Sequence, residues 1–167
     1  PEDLWYFKGR ATWEMQNLPY ALVRDLFAFR FTIRDSDRAS VVREKMERGI
    51  GEALGEDEQG RAKAHFIGQL LGFDFSDSPY LREALGDSRQ LRERGLACLS
   101  EYFQALAVQT PIALLLEDVH WADDSSLDVL SRLTLAMPDQ PLLVVCLARP
   151  ALLERYPQWG DPSTLAG

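Results

Sequence analysis

The chain has 167 residues, 46% hydrophobic and 10% aromatic, which is enough for one domain with a sizeable core and too apolar for a disordered segment. A formal net charge of −8, from 26 acids against 18 bases, weighs against the concentrated positive surface that phosphate backbones require, so no direct nucleic-acid partner is expected. No apolar run approaches the roughly 18 to 20 residues of a bilayer span, and Pro1-Glu2-Asp3-Leu4-Trp5 lacks a basic region followed by an apolar one, so a cytoplasmic chain with no membrane contact is expected.

In chain order, Leu4 to Arg10 is aromatic and strand-like, and it enters a loop through Asn17-Leu18-Pro19. The period then changes to that of helices. Leu22, Leu26 and Phe29 lie three to four apart, as do Val42, Met46, Ile50 and Leu54, and Ala62, Phe66 and Leu70 mark a third helix. After Asp74-Phe75-Ser76-Asp77-Ser78-Pro79 a short helical turn is predicted near Leu81 to Leu85, followed by a long helix with Leu91, Leu99, Phe103 and Leu106 on one face. The helical segment as a whole runs from 20 to 108. An apolar strand from Pro111, a helix starting near Asp124-Ser125-Ser126 with Leu127, Leu130 and Leu133 inward, and a buried strand from Leu142 to Ala148 then imply a parallel crossover. Asp124 or Ser125 is the expected N-cap of that helix, and Pro150 opens a last one through Leu152 and Leu153. Cys98 and Cys146 stand far apart in apolar segments and read as reduced, buried thiols. His65, among apolar helical neighbours, reads as a structural histidine.

The most informative stretch is Pro111-Ile112-Ala113-Leu114-Leu115-Leu116-Glu117-Asp118-Val119-His120-Trp121-Ala122-Asp123-Asp124. A continuous apolar run reads as a buried strand, and acids at its carboxyl end sit where open α/β sheets bind ligands. Taken alone, four hydrophobics and two acids also describe a buried strand with an acidic exposed end. The continuation Val119-His120-Trp121-Ala122-Asp123 is what makes the pair specific.

The segment Leu114 to Asp123 resembles the Walker B element of STAND-type AAA+ P-loop ATPase modules, which occur in large bacterial regulators with adenylate or guanylate cyclase domains or LuxR-type DNA-binding domains, often followed by tetratricopeptide repeats. The resemblance extends to Glu14-Met15-Gln16-Asn17-Leu18-Pro19-Tyr20, to His65-Phe66-Ile67-Gly68-Gln69-Leu70-Leu71-Gly72-Phe73 and to Leu147-Ala148-Arg149-Pro150. It implies an α/β fold, a partial three-layer αβα P-loop NTPase-like parallel sheet with a helical insertion. It also implies ATP and Mg2+ as cofactors, with Glu117 holding a magnesium-bound water and Asp118 polarising the attacking water. Arg149, at the end of the following strand, would face the γ-phosphate as a sensor; the alternative is that an Arg before Pro at a strand end pairs with a surface acid. Ala148 departs from the polar residue that commonly precedes this arginine in the family. His120 and Trp121 are expected to pack or hydrogen-bond beneath the site.

A nucleotide site also needs Gly-x-x-x-x-Gly-Lys-Ser/Thr to cradle phosphates, and no Gly-Lys dipeptide occurs in the chain. Gly55-Glu56-Asp57-Glu58-Gln59-Gly60-Arg61-Ala62 has the glycine spacing but substitutes Arg and Ala at the functional places and fills the loop with acids. The missing Walker A strand, the absent initiator Met and the finish Pro162-Ser163-Thr164-Leu165-Ala166-Gly167 read as a single partial domain over 1–167, with a Walker B to sensor region over 111–155, cut from a larger parent. Unscreened by a lysine and a metal, the acids would oppose a triphosphate by roughly 3 kcal/mol per charge pair at about 6 Å and an effective dielectric of about 20, so weak ATP binding or none is expected. The expected partners are the rest of the parent chain (a P-loop segment, tetratricopeptide repeats or an effector domain) or another copy joined through an exposed sheet edge. Two further readings compete: a degenerate, non-hydrolysing interaction scaffold, and a metal-dependent hydrolase using Glu117, Asp118, His120 and Asp123.

Overall fold

Three apolar runs pair as parallel strands in the order β1-β2-β3: β1 (Trp5–Arg10), β2 (Ile112–Glu117) and β3 (Leu142–Cys146). The structure, a computed structural model, describes residues 3–157 and 159; the finish from Pro162 to Gly167 lies outside them. Between β1 and β2 come α1 (Ala21–Arg30), α2 (Ala39–Leu54), α3 (Glu58–Leu70) and α4 (Ser88–Gln109); α5 (Asp124–Ala136) joins β2 to β3, and α6 (Ala151–Arg155) follows β3. The result is a parallel α/β sheet flanked by helices.

Register aligns Phe7 with Leu114 and Val144, and Gly9 with Leu116 and Cys146. Because side chains alternate across a pleat, these residues share one face. Phe7 stacks there against Phe27 of α1 and Phe103 of α4, with ring centroids 6.1 and 5.4 Å apart. Gly9 makes this a close contact: a Cβ on it would lie 3.1 to 3.2 Å from side-chain carbons of Leu26 and Leu22, which would have to shift by a few tenths of an ångström. Helices α2 and α3 lie outside this layer, packing on each other and on α4.

The other face of the sheet is open at Tyr6, Leu143 and Val145, and among the described residues β3 pairs with β2 alone. Two expectations change here. The third strand stops at Cys146 instead of Ala148, and it is an edge strand with alternating exposure, not a buried one: Leu143 is 59% exposed. The cysteines are free but half-buried, since Cys146 lies on that edge; burial still pushes its thiol up to about 11.

Three local expectations also shift. Phe29 is exposed and meets Tyr6 edge-on at 5.7 Å, while Phe27 takes the core place. Leu81 to Leu85 forms hydrogen-bonded turns instead of helix, anchored by the buried Leu81. Leu54, Ala62 and Leu91 sit at the rim of the core, while Met46, Ile50, Phe66, Leu99, Phe103 and Leu106 are buried in it.

His65 is structural, as expected. Its Nε2 lies 2.7 Å from Glu47 Oε1 and its Nδ1 2.6 Å from the hydroxyl of the buried Ser78, tying α2, α3 and the following loop together. The Glu47 carboxylate can only accept, so Nε2 carries a proton, and in the neutral ring Nδ1 accepts from the Ser78 hydroxyl, whose oxygen also accepts the Tyr80 N–H at 3.2 Å. Burial lowers the imidazole pKa, with the Glu47 hydrogen bond opposing it. A histidine held neutral in the fold but free to protonate when unfolded stabilises above the unfolded value of about 6.5, and that contribution is lost as pH falls below it. Urea unfolding from pH 7.5 down to 5.5 should therefore show falling stability, with a flatter profile in His65→Gln.

Candidate functional site

The acids predicted from the sequence stand at the carboxyl end of the central strand. Glu117 is the last residue of β2, and its carbonyl accepts the Ala11 N–H at 3.0 Å, locking the exit of β1 beside it. Asp118 then takes a left-handed conformation, φ 54° and ψ 35°, which turns the chain out of the strand and into a 3-10 turn at Val119–Trp121. Left-handed backbone is unfavourable for most side chains, and Asp and Asn tolerate it best.

Register places Arg10 opposite Glu117 and Lys8 one pleat earlier on the same face. Lys8 Nζ lies 3.2 Å from Glu117 Oε1, and Arg10 Nε donates to Asp118 Oδ2 at 2.8 Å. The acids are therefore not unscreened, as the sequence alone implied: the neighbouring strand brings two cations to them. The side chains of Glu117 and Asp118 are 28% and 35% exposed, so each pair contributes about 0–1 kcal/mol. Asp25 of α1 completes the rim; its carboxylate accepts the Arg10 N–H at 2.7 Å, and burial raises its pKa. Neither the cations nor Asp25 was identified from the sequence.

The segment after the acids serves as a brace. Asp123, not Asp124 or Ser125, is the N-cap of α5. The unpredicted 3-10 turn explains the shift, because the chain does not run straight from strand to helix. Asp123 is buried. Its Oδ1 accepts N–H groups of Ser126 at 2.9 Å and Tyr20 at 2.8 Å, and its Oδ2 accepts the Ser126 hydroxyl at 2.6 Å. Ser126 Oγ in turn accepts the Val23 N–H at 3.3 Å. One aspartate thus fixes the starts of α1 and α5 together, beside the strand ends. Asp124 faces outward to Arg155 at 2.5 Å and to the Tyr156 hydroxyl.

The chain after β3 returns to the same place. Leu147 N–H reaches Leu116 O at 2.8 Å, Val119 N–H reaches Leu147 O at 3.0 Å, and the Arg149 N–H donates to His120 Nδ1 at 3.4 Å. Arg149 is exposed, and its guanidinium has no hydrogen-bond or ion-pair partner among the described residues. The reading in which it pairs with a surface acid therefore finds no acid here. His120 is buried beside Trp121, with ring centroids 5.1 Å apart, as a packing residue would be. Among the described residues no three His, Cys, Asp or Glu side chains are grouped to hold a metal on their own, and Asp123 is fully committed to capping. The hydrolase built on Glu117, Asp118, His120 and Asp123 loses its support.

A parallel sheet with paired acids at the carboxyl end of its central strand, and a basic strand beside them, is an open α/β arrangement, and such sheets bind their ligands outside the carboxyl ends of the strands. The model of the AAA ATPase domain family matches residues 1–145, and the chain belongs to that family. Over 80 residues the chain is 29% identical to an uncharacterized protein of Rhizobium meliloti (strain 1021), a match covering 48% of this chain and 8% of that protein. The chain thus spans less than a tenth of that relative's length. No solved structure matches it. Among the described residues, no helix is long and apolar enough to cross a membrane.

Proposed function

We propose that this chain is the metal- and water-handling part of an ATP-driven signalling switch, a STAND-type module within a larger regulator. The observation that carries the reading is the placement of Glu117 and Asp118 together at the carboxyl end of the central parallel strand, in partial contact with solvent. Carboxylate oxygens are hard donors suited to magnesium. In this reading Glu117 holds a metal-bound water, Asp118 orients and deprotonates the attacking water, and Arg149, unpartnered at the adjacent strand exit, neutralises phosphate charge. Magnesium, when bound, offsets phosphate charge and polarises its oxygens. Lys8 and Arg10 hold the acids in place without it. The residues present fit the metal half of such a site; the phosphate cradle would come from elsewhere in the parent, because no Gly-Lys occurs in the 167 residues.

The free edge of β3 and the open sheet face, with Leu143 and Val145, support a partner strand and helix from the rest of the parent, or a second copy, docking there. The absence of a Gly-Lys dipeptide favours a second reading, a non-hydrolysing scaffold that presents the helices between Tyr20 and Leu106. The gene sequence immediately upstream separates the two: a Gly-x-x-x-x-Gly-Lys-Ser/Thr there supports the switch, and its absence supports the scaffold. For the switch, ATP binding by the full-length protein should tighten with Mg2+, and Glu117→Gln should weaken that magnesium effect by about 10–100-fold, the range seen when an oxygen or histidine partner of a metal's outer shell is removed. Isothermal titration with and without Mg2+ measures this; an unchanged magnesium effect in the variant removes Glu117 from the metal site.

A further inference from the structure

We infer that His120 is a positioning residue, whose Nδ1 holds the backbone of Arg149 at the acidic strand end so that the guanidinium reaches phosphate charge from a fixed root. This rests on the ATPase reading above. Three observations carry it. First, the ladder between β2 and the exit of β3 ends at the Leu147 N–H to Leu116 O and Val119 N–H to Leu147 O bonds. The next link is the 3.4 Å contact from Arg149 N to His120 Nδ1, after which Arg149 O accepts the Leu152 N–H and α6 begins. The imidazole thus ties down the chain at the point where the arginine leaves it.

Second, packing alone does not account for a histidine at this place. With Nδ1 accepting, the ring proton sits on Nε2, and Nε2 is buried with no partner among the described residues. A buried donor without an acceptor is destabilising, so an apolar ring in the same place, 6% exposed against Trp121, would pack at lower cost. What an apolar ring lacks is an acceptor for the Arg149 N–H. Third, no side-chain contact among the described residues holds this arginine: its side chain is exposed and makes no polar contact, and apart from the Leu152 N–H bond to its carbonyl only the His120 contact fixes its backbone. Its placement therefore depends on its backbone.

The test uses full-length protein with MgATP and the variants His120→Ala, His120→Asn, Arg149→Ala and the His120→Ala/Arg149→Ala pair. A small displacement of a charge-stabilising group reduces the chemical step more than ground-state binding. His120→Ala is expected to lower kcat about tenfold with KM within about twofold. His120→Asn, whose side-chain oxygen accepts the same N–H, restores most of it. The double variant should be no slower than Arg149→Ala, because residues acting through one another are not additive. Independently of turnover, hydrogen–deuterium exchange over residues 147–152 should quicken in His120→Ala and return toward wild type in His120→Asn. Additive losses, failure of Asn to rescue, or unchanged exchange in His120→Ala overturns the inference. If Asp118→Asn and Arg149→Ala both leave turnover at the wild-type rate, the ATPase reading fails, and the exchange experiment still decides whether His120 holds Arg149.

Discussion

Asp123→Ala should lower the unfolding free energy by about 3–5 kcal/mol, the largest stability effect expected of a single side chain here. Losing a capping aspartate alone costs about 0.5–2 kcal/mol. Asp123 is also only 3% exposed, and its removal strands the N–H groups of Tyr20 and Ser126 and the Ser126 hydroxyl, which it now satisfies. Each buried donor left unsatisfied adds about 1–3 kcal/mol, less where local water can enter. In a domain of this size each kcal/mol shifts Tm by about 2–4 °C, so the loss should approach or exceed 10 °C. Asp123→Asn keeps one acceptor oxygen and should lose roughly half as much. Thermal and urea unfolding of the three proteins measure it; a loss under about 1 kcal/mol for the alanine variant would mean that Asp123 does not brace α1 against α5.

The parts of the fold that were legible in the sequence share a local signature. Ile112 to Glu117 is a continuous apolar run ending in acids, and the three-to-four spacing of Met46 and Ile50, or of Leu99, Phe103 and Leu106, reports helices whose buried faces the structure bears out. The resemblance placed the acids at a strand end, and they are there. What was not legible depends on pairing across the chain. Arg10 and Asp118 stand 108 residues apart in sequence, and only the parallel register of β1 against β2 brings Lys8 and Arg10 to the acids. The signal was nonetheless present: Lys8 and Arg10 alternate with Gly9 at the end of an aromatic strand, so both point to one face. The cap was misplaced by one residue because a 3-10 turn gives no periodic signal. Burial of β3 was overestimated because an apolar run does not show whether neighbours cover both sides of a strand.

Asp118→Asn should lower MgATP turnover of the full-length protein by about 10²–10⁴-fold while leaving the fold intact. The variant is well suited to this site. Asn tolerates left-handed backbone as Asp does, so φ 54° at this position is preserved, and its side-chain oxygen can still accept from Arg10 Nε. What it loses is the capacity to take a proton from water and the negative charge that orients it, which is the role assigned to Asp118. Because the ion pair with Arg10 is half-exposed, its weakening accounts for no more than about 1 kcal/mol, or roughly fivefold, far short of the expected loss. Steady-state phosphate release at saturating MgATP, compared between wild type and Asp118→Asn at matched folded fractions, tests the central claim most directly. A fall of at least about a hundredfold is expected; equal rates in the two proteins would remove the acidic end of β2 from catalysis.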